Sequence, residues 1–194
     1  MATYNAIAAT SEAIRRYLKD APRPEFPQLD VDLYQAADFQ KPVPAGGRIS
    51  LFLFRIAVNS SRRNLPPRLS EDRKTRYRAP LPLDLFFLVS AWALNADLQQ
   101  RLLGWCARTL EDAPILPASV LNRLQATPVF RHSEMVELVC DPPSMQDLNV
   151  IWDVVKPNTP LSIAYVARMI AIESEMPLVE GELVQTRAFG MSQV

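Results

Sequence analysis

Two segments of this chain are apolar on both of their faces, and they constrain what it can fold into more than anything else in it. In "RISLFLFRIAV" (48–58), Ile49, Leu51 and Leu53 alternate with Phe52, Phe54 and Ile56. In "LPLDLFFLVSAWA" (81–93), Leu83, Leu85, Phe87 and Val89 alternate with Phe86, Leu88 and Trp92. A strand with two apolar faces has to be covered above and below, so both segments belong in the middle of a sheet. The simplest pairing is antiparallel, with the intervening stretch displayed as a long loop from their common end. A loop beyond about a dozen residues is usually functional or disordered.

The elements around this pair follow from periodicity. Residues 4–19 carry Ile7, Ser11, Ile14 and Leu18 on one helical face, and Pro22, Pro24 and Pro27 stop that helix. "LDVDLYQAAD" (29–38) sets Leu29, Val31 and Leu33 against Asp30, Asp32 and Tyr34, the pattern of a half-exposed strand, and Gly46 and Gly47 punctuate a turn after it. Residues 95–111 form the clearest helix, with Leu98, Leu102, Trp105 and Thr109 on one stripe and Leu103, Cys106 and Leu110 beside it. "APILPASVLNRL" reads as a proline-bounded turn and a short helix over 118–124, and "EMVELVC" as a short strand. "SMQDLNVIWDVV" opens with Ser144 and Asp147 at capping spacing and points Leu148, Ile151, Trp152 and Val155 inward. "LSIAYVARMIAI" is the last strand, with Leu161, Ile163, Tyr165 and Ala167 against Ser162, Ala164, Val166 and Arg168. The expected fold is a single α+β domain over 1–173, a mixed or antiparallel sheet of about five strands flanked by helices, followed by a tail, 174–194, able to act as a flexible arm or an inter-subunit strand.

Charge is where composition matters. The chain has 21 basic and 21 acidic residues, so the whole molecule attracts neither nucleic acid nor an anionic membrane. Between Arg62 and Arg78, however, seven basic residues stand against Glu71 and Asp72, a local +5 that leaves −5 on the remainder. Such asymmetry favours head-to-tail contact between copies or contact with an acidic partner. The longest apolar run, 85–94, is about half of what a membrane span needs. The N-terminus carries its charges after its apolar residues, unlike a secretory signal, so the expected site of synthesis and assembly is the cytosol.

A search for catalytic or ligand-binding groups finds no constellation. His132 is the single histidine and has no nucleophile motif to serve. Five glycines make neither a dinucleotide-binding turn nor a phosphate loop, so no cofactor is expected. Cys106 and Cys140 lie in apolar periodic segments, as buried free thiols do, and with one histidine they form no zinc set. Asp30 and Asp32 share a strand face as magnesium ligands can, but any exposed strand face alternates polar residues in this way. No metal and no enzymatic activity are expected. The basic run itself has three open readings: a solvated loop, a protein docking surface, and a phosphate-binding segment. Whole-chain neutrality and a single aromatic, Tyr77, place the nucleic-acid reading last.

Four blocks then stand in a familiar order. A strand ends in Asn59 and the pair Arg63-Asn64; a second strand carries Asp84-Leu85; a helix carries Leu102-Leu103-Gly104 and leads through Arg108-Thr109-Leu110 to Pro114; "LSIAYVARMIAIE" closes the domain. From about Ile7 to Glu173 the chain resembles the N-terminal domain of the cap, or tail terminator, proteins of phage-tail-like contractile injection systems. The resemblance implies a non-enzymatic structural role. It implies a hexameric ring that closes the baseplate-distal end of inner tube and sheath, sets their length and anchors the last sheath ring. It also implies a home in a particle that assembles in the cytoplasm and can be released. Some relatives continue well past this domain; here residues 174–194 alone follow it, so the functions of a longer extension are expected to be absent. The residues expected at the protein interface are Arg62, Arg63, Asn64, Arg68, Arg73, Lys74, Arg76 and Arg78.

Overall fold

The computed structural model of the protein describes residues 2–70, 72, 74–155 and 160–178. Eight strands and four α-helices run in the order α1 (Ala6–Asp20), β1 (Asp30–Tyr34), β2 (Arg48–Val58), β3 (Arg68–Leu69), β4 (Arg76–Tyr77), β5 (Leu81–Trp92), α2 (Ala96–Glu111), β6 (Ile115–Pro117), α3 (Ala118–Leu121), β7 (Met135–Cys140), α4 (Met145–Val155) and β8 (Leu161–Ile172). Six of the strands form one sheet in the order β1-β2-β5-β8-β7-β6. The β1–β2 pair is parallel and the other pairs are antiparallel, so the sheet is mixed and the fold is α+β as the pattern predicts. The sixth strand, β6, lies in the segment expected to be a proline-bounded turn. Pro117 can close it because it is a short edge strand, where a missing N–H costs no central ladder bond.

Residues β2 and β5 pair antiparallel from Arg48↔Trp92 to Val58↔Leu83, which places the basic stretch beyond their common end. Helices α1 and α2 cover one face of the sheet. On α1, Ala6, Ala9, Ala13, Ile14 and Leu18 are buried, and on α2 the stripe centres on Leu102, Cys106 and Leu110. Beneath them lie Ile49, Leu51, Leu85, Phe87, Val89, Tyr165 and Ala167, all at 2% exposure or less. Gly47 is needed for this closeness: at φ +78° it lies where a Cβ would come within 2.5 Å of Leu102.

The opposite face is covered by a 3-10 turn (Ala36–Gln40) and by α4. A second cluster there joins Tyr34, Phe39 and Trp92, with ring centroids 5.5 to 5.8 Å apart. The Trp92 indole N–H donates to the Ser50 hydroxyl at 2.8 Å, so these two buried polar groups satisfy each other. The backbone N–H of Asp147 donates to the Ser144 hydroxyl at 3.2 Å, so α4 starts with the expected cap. Of the residues expected to point inward, Ile151 is buried and Leu148 and Trp152 are half-buried, and the Val155 side chain lies outside the described residues. Met145 and Val150 are 67% and 66% exposed.

Two bulges break the period-2 pattern. One in β2, between Leu53 and Arg55, moves Ile56 into register with Leu85 on the helix side, a correction to the alternation expected from Phe52 and Phe54. The other, in β8, opposes Arg168 and Met169 to Asp84, with Met169 at φ 71°. Ile163, Tyr165 and Ala167 face the helices before it, and Ile170 and Ile172 after it.

Candidate functional site

The basic stretch is a folded arm with a defined base. At that base, Asn59 and Asp84 meet across β2 and β5. The Asn59 side-chain amide donates to both carboxylate oxygens of Asp84, at 3.1 and 3.0 Å. The carbonyl oxygen of the same amide accepts the backbone N–H of Arg62 at 3.1 Å, capping the short 3-10 turn Ser60–Arg62. A carboxylate receiving two donors, and an amide using both of its ends, fix the angle at which the arm leaves the sheet.

Further out, β3 and β4 pair as a small antiparallel hairpin. Ser70 N–H donates to the Thr75 carbonyl at 2.8 Å, Thr75 N–H to the Ser70 hydroxyl at 3.0 Å, and Lys74 N–H to the Asp72 carboxylate at 3.1 Å. The Ser70 hydroxyl also bonds Asp72, and these donors hold the Asp72 carboxyl below its usual range. The chain after β8 then adds to the free side of β4. Tyr77 bridges Pro177, Arg78 N–H donates to the Met176 carbonyl at 3.1 Å, and Leu178 N–H to the Arg76 carbonyl at 2.7 Å.

The expected interface residues divide by position. Arg68 turns inward: its side chain is 15% exposed, lies 2.9 Å from Glu173 and stacks 4.3 Å over the Tyr77 ring. Glu173 also takes Arg131 at 2.8 Å, so one carboxylate ties the arm to the body from two sides. Arg62 is half-buried at the base, with Arg63 and Asn64 exposed beside it, and Lys74, Arg76 and Arg78 are exposed on the hairpin. Arg73 lies outside the described residues. Tyr77, the arm's single aromatic, has Arg68 on its ring face and so offers a poor stacking platform for a base.

Elsewhere the chemistry is internal. Arg48 lies 3.0 Å from Asp32 and 3.7 Å from Asp30 and donates to the Tyr34 hydroxyl at 2.9 Å, so the two carboxylates are engaged by a cation of the neighbouring strand. No metal-type cluster of histidine, cysteine and carboxylates occurs among the described residues, and none of their helices is long and apolar enough to cross a membrane. His132 is exposed. Burial pushes the Cys106 thiol up to about 12, whereas Cys140 is exposed.

Two features of the site have no counterpart in the sequence reading. Glu173 is a single acidic residue at the end of the last strand, and nothing local marks it as the partner of Arg68. A groove of about 410 Å³ opens between Phe52, Phe54 and Phe86 on the sheet and Pro143, Val150 and Ile151 at α4. The one local sign of it is the apolar residue Val150, which α4 leaves exposed.

Comparison with known proteins bears on what such an arm and groove serve. The model of the Pvc16 N-terminal domain matches residues 9–186. No curated protein matches the sequence. The fold is similar to the sheath/tube terminator of an extracellular contractile injection system, PVC, in its extended state, with a TM-score of 0.56 and 14% identity over 96% of this chain and 65% of that one. It is also similar to the tube-terminating cap of the anti-feeding prophage, with a TM-score of 0.57 and 12% identity over 97% of this chain and 62% of that one. The chain thus spans under two thirds of the length of either structure, and at these identities the likeness is one of fold.

Proposed function

The chain belongs to the Pvc16 N-terminal domain family, and from that membership we propose that it is a cap, or tail terminator, of a contractile injection particle. The observation that carries this reading is the family match across 9–186, nearly the whole chain, together with a sheet of the kind found in two terminator structures. The role is non-catalytic. It requires shape, self-assembly and docking, and the ordered arm supplies a docking element braced by Asn59–Asp84 at its base and by Glu173 along its length.

In the finer form of the proposal, six copies form a ring at the baseplate-distal end of the tube. The ring fixes the length of tube and sheath, anchors the last sheath ring, and assembles in the cytoplasm before the particle is released. A ring needs two different surfaces that meet around the circle. Glu173 engages Arg68, and the arm presents Arg62, Arg63, Lys74 and Arg78 to an acidic surface, while the rest of the chain carries the compensating negative charge. The partners are other copies of the chain and the end rings of sheath and tube. Replacing Arg62, Arg63, Arg73 and Arg76 together by Glu should leave the protein folded and yield particles of irregular length with open ends. Normal lengths and capped ends in negative-stain images would overturn the docking role of the arm.

A further inference from the structure

We propose that the outer half of β2, residues 53–58, is an acceptor edge for a strand contributed by residues 179–194 of an adjacent copy of the chain. One apolar side chain of that strand sits in the groove between the sheet and α4. This inference rests on the ring proposed above and identifies how its subunits are joined.

The acceptor is visible in the pairing. Strand β1 covers β2 only from Arg48 to Phe52, its last pair being Tyr34↔Phe52. Beyond that point no strand among the described residues pairs with that side of β2, although β5 continues along the other side to Val58. Natural sheets guard such an edge with proline, lysine or an inward charge. Here the edge reads Leu53-Phe54-Arg55-Ile56-Ala57-Val58, with Ile56 47% and Val58 41% exposed, and its one cation lies over Phe86 at 4.8 Å. The bulge at Phe54 sets the only local irregularity. The apolar groove of about 410 Å³ opens directly beside it, floored by Phe52, Phe54 and Phe86. An added strand would gain affinity from backbone hydrogen bonds along the edge and specificity from a side chain in the groove.

The donor follows from the direction of the chain. Residues 176–178 run antiparallel to β4, from the level of Arg78 to that of Arg76. They therefore head toward the hairpin tip at Ser70–Thr75, away from the body and from their own β2. Sixteen residues follow Leu178 in the sequence, enough to reach roughly 50 Å when extended. Within them, "ELVQTRAF" (182–189) contains no proline and sets Leu183 and Phe189 on one parity and Val184 and Ala188 on the other. The direction of residues 176–178, away from their own β2, favours an acceptor on an adjacent copy. In a closed ring each copy gives one strand and receives one, a heterologous contact that closes on itself.

The test uses the full chain with Cys140→Ser, which leaves only the buried Cys106. One population carries Ile56→Cys; a second, of distinguishable mass, carries Gln185→Cys, Thr186→Cys or Arg187→Cys. After mixing and mild oxidation, a disulfide heterodimer of the two masses is expected for at least one of the three positions and only when both cysteines are present. Absence of the heterodimer, or crosslinks confined to single chains when Ile56→Cys and the tail cysteine are combined, overturns the exchange. Ile56→Lys should weaken self-association at least tenfold by light scattering with an unchanged melting temperature; unaltered association also overturns it. Hexamers without crosslinks would leave the ring standing and remove the strand, whereas a strict monomer absent from purified particles would remove the ring itself.

Discussion

Beneath α1 and α2 the sheet presents Leu85, Phe87 and Val89 at 1% exposure or less, while on its opposite face Phe52, Phe54 and Phe86 stay half-exposed around an open groove. Both faces are built from the same two strands, and neighbouring residues of β5 point to opposite sides. On the helix face the stretch beneath α1 and α2 is buried, so that apolar surface is used up in holding the fold. On the other face, α4 and the 3-10 turn cover the Tyr34–Phe39–Trp92 cluster and leave apolar surface over. A subunit that assembles as proposed needs such a division, since the surface that holds it together cannot also be the surface that recognises a neighbour.

Adjacent phenylalanines give the largest test of this difference. Phe87→Ala should cost about 3–5 kcal/mol, because it empties a site sealed by two helices. Phe86→Ala should cost less, about 1–2 kcal/mol, since that ring is only half-buried and is covered in part by the Arg55 side chain rather than by a helix. Denaturant melts of the two variants measure the gap directly, and equal losses would show that the groove face is as tightly packed as the helix face. A smaller effect is expected at the base of the arm. Asn59→Ala removes a cap and both donors to Asp84, for a loss of about 1–2 kcal/mol. Hydrogen exchange should then quicken at the amides of Ser70, Thr75 and Arg78 while those of β5 and β8 remain protected. If the whole sheet loosens together, the arm is no separate unit.

The mildest probe perturbs nothing. Burial raises the Cys106 thiol to about 12, so near pH 8 it is almost entirely protonated as well as shielded from reagent. Cys140, exposed at the end of β7, should accept a thiol reagent in the native protein. Raising the pH toward 9 should speed its labelling, because more thiolate forms, while Cys106 should wait for unfolding at any pH where the sheet is intact. Labelling of both at the same rate would mean that the helix face opens far more readily than its packing implies.

Much of this architecture could be read from the residues alone. The two doubly apolar segments declared the central strands, the stripe along 95–111 declared α2, and the cluster of cations declared a displayed segment. The missing parts share one physical cause. β6 is three residues long and bounded by prolines, too short for any period to register. The bulges at Phe54 and Met169 each insert a residue that local alternation cannot announce, so the side facing of Ile56, Ile170 and Ile172 reverses without a sign in the pattern. Arg68 was indistinguishable from its basic neighbours, because its fate depends on Glu173, far along the chain.

The sequence by itself determined most of the strands and helices, which residues of each are apolar, and that a net +5 run would stand between two central strands. Tertiary structure alone decided that β1 lies parallel to β2 and stops halfway, that Arg68 is spent on Glu173, and that an apolar groove adjoins the uncovered edge. The reason is that periodicity records how a side chain points within its own element, a matter of local backbone geometry. Which element lies alongside which, and where a neighbour ends, depends on register between residues distant in sequence, and only the folded chain expresses it.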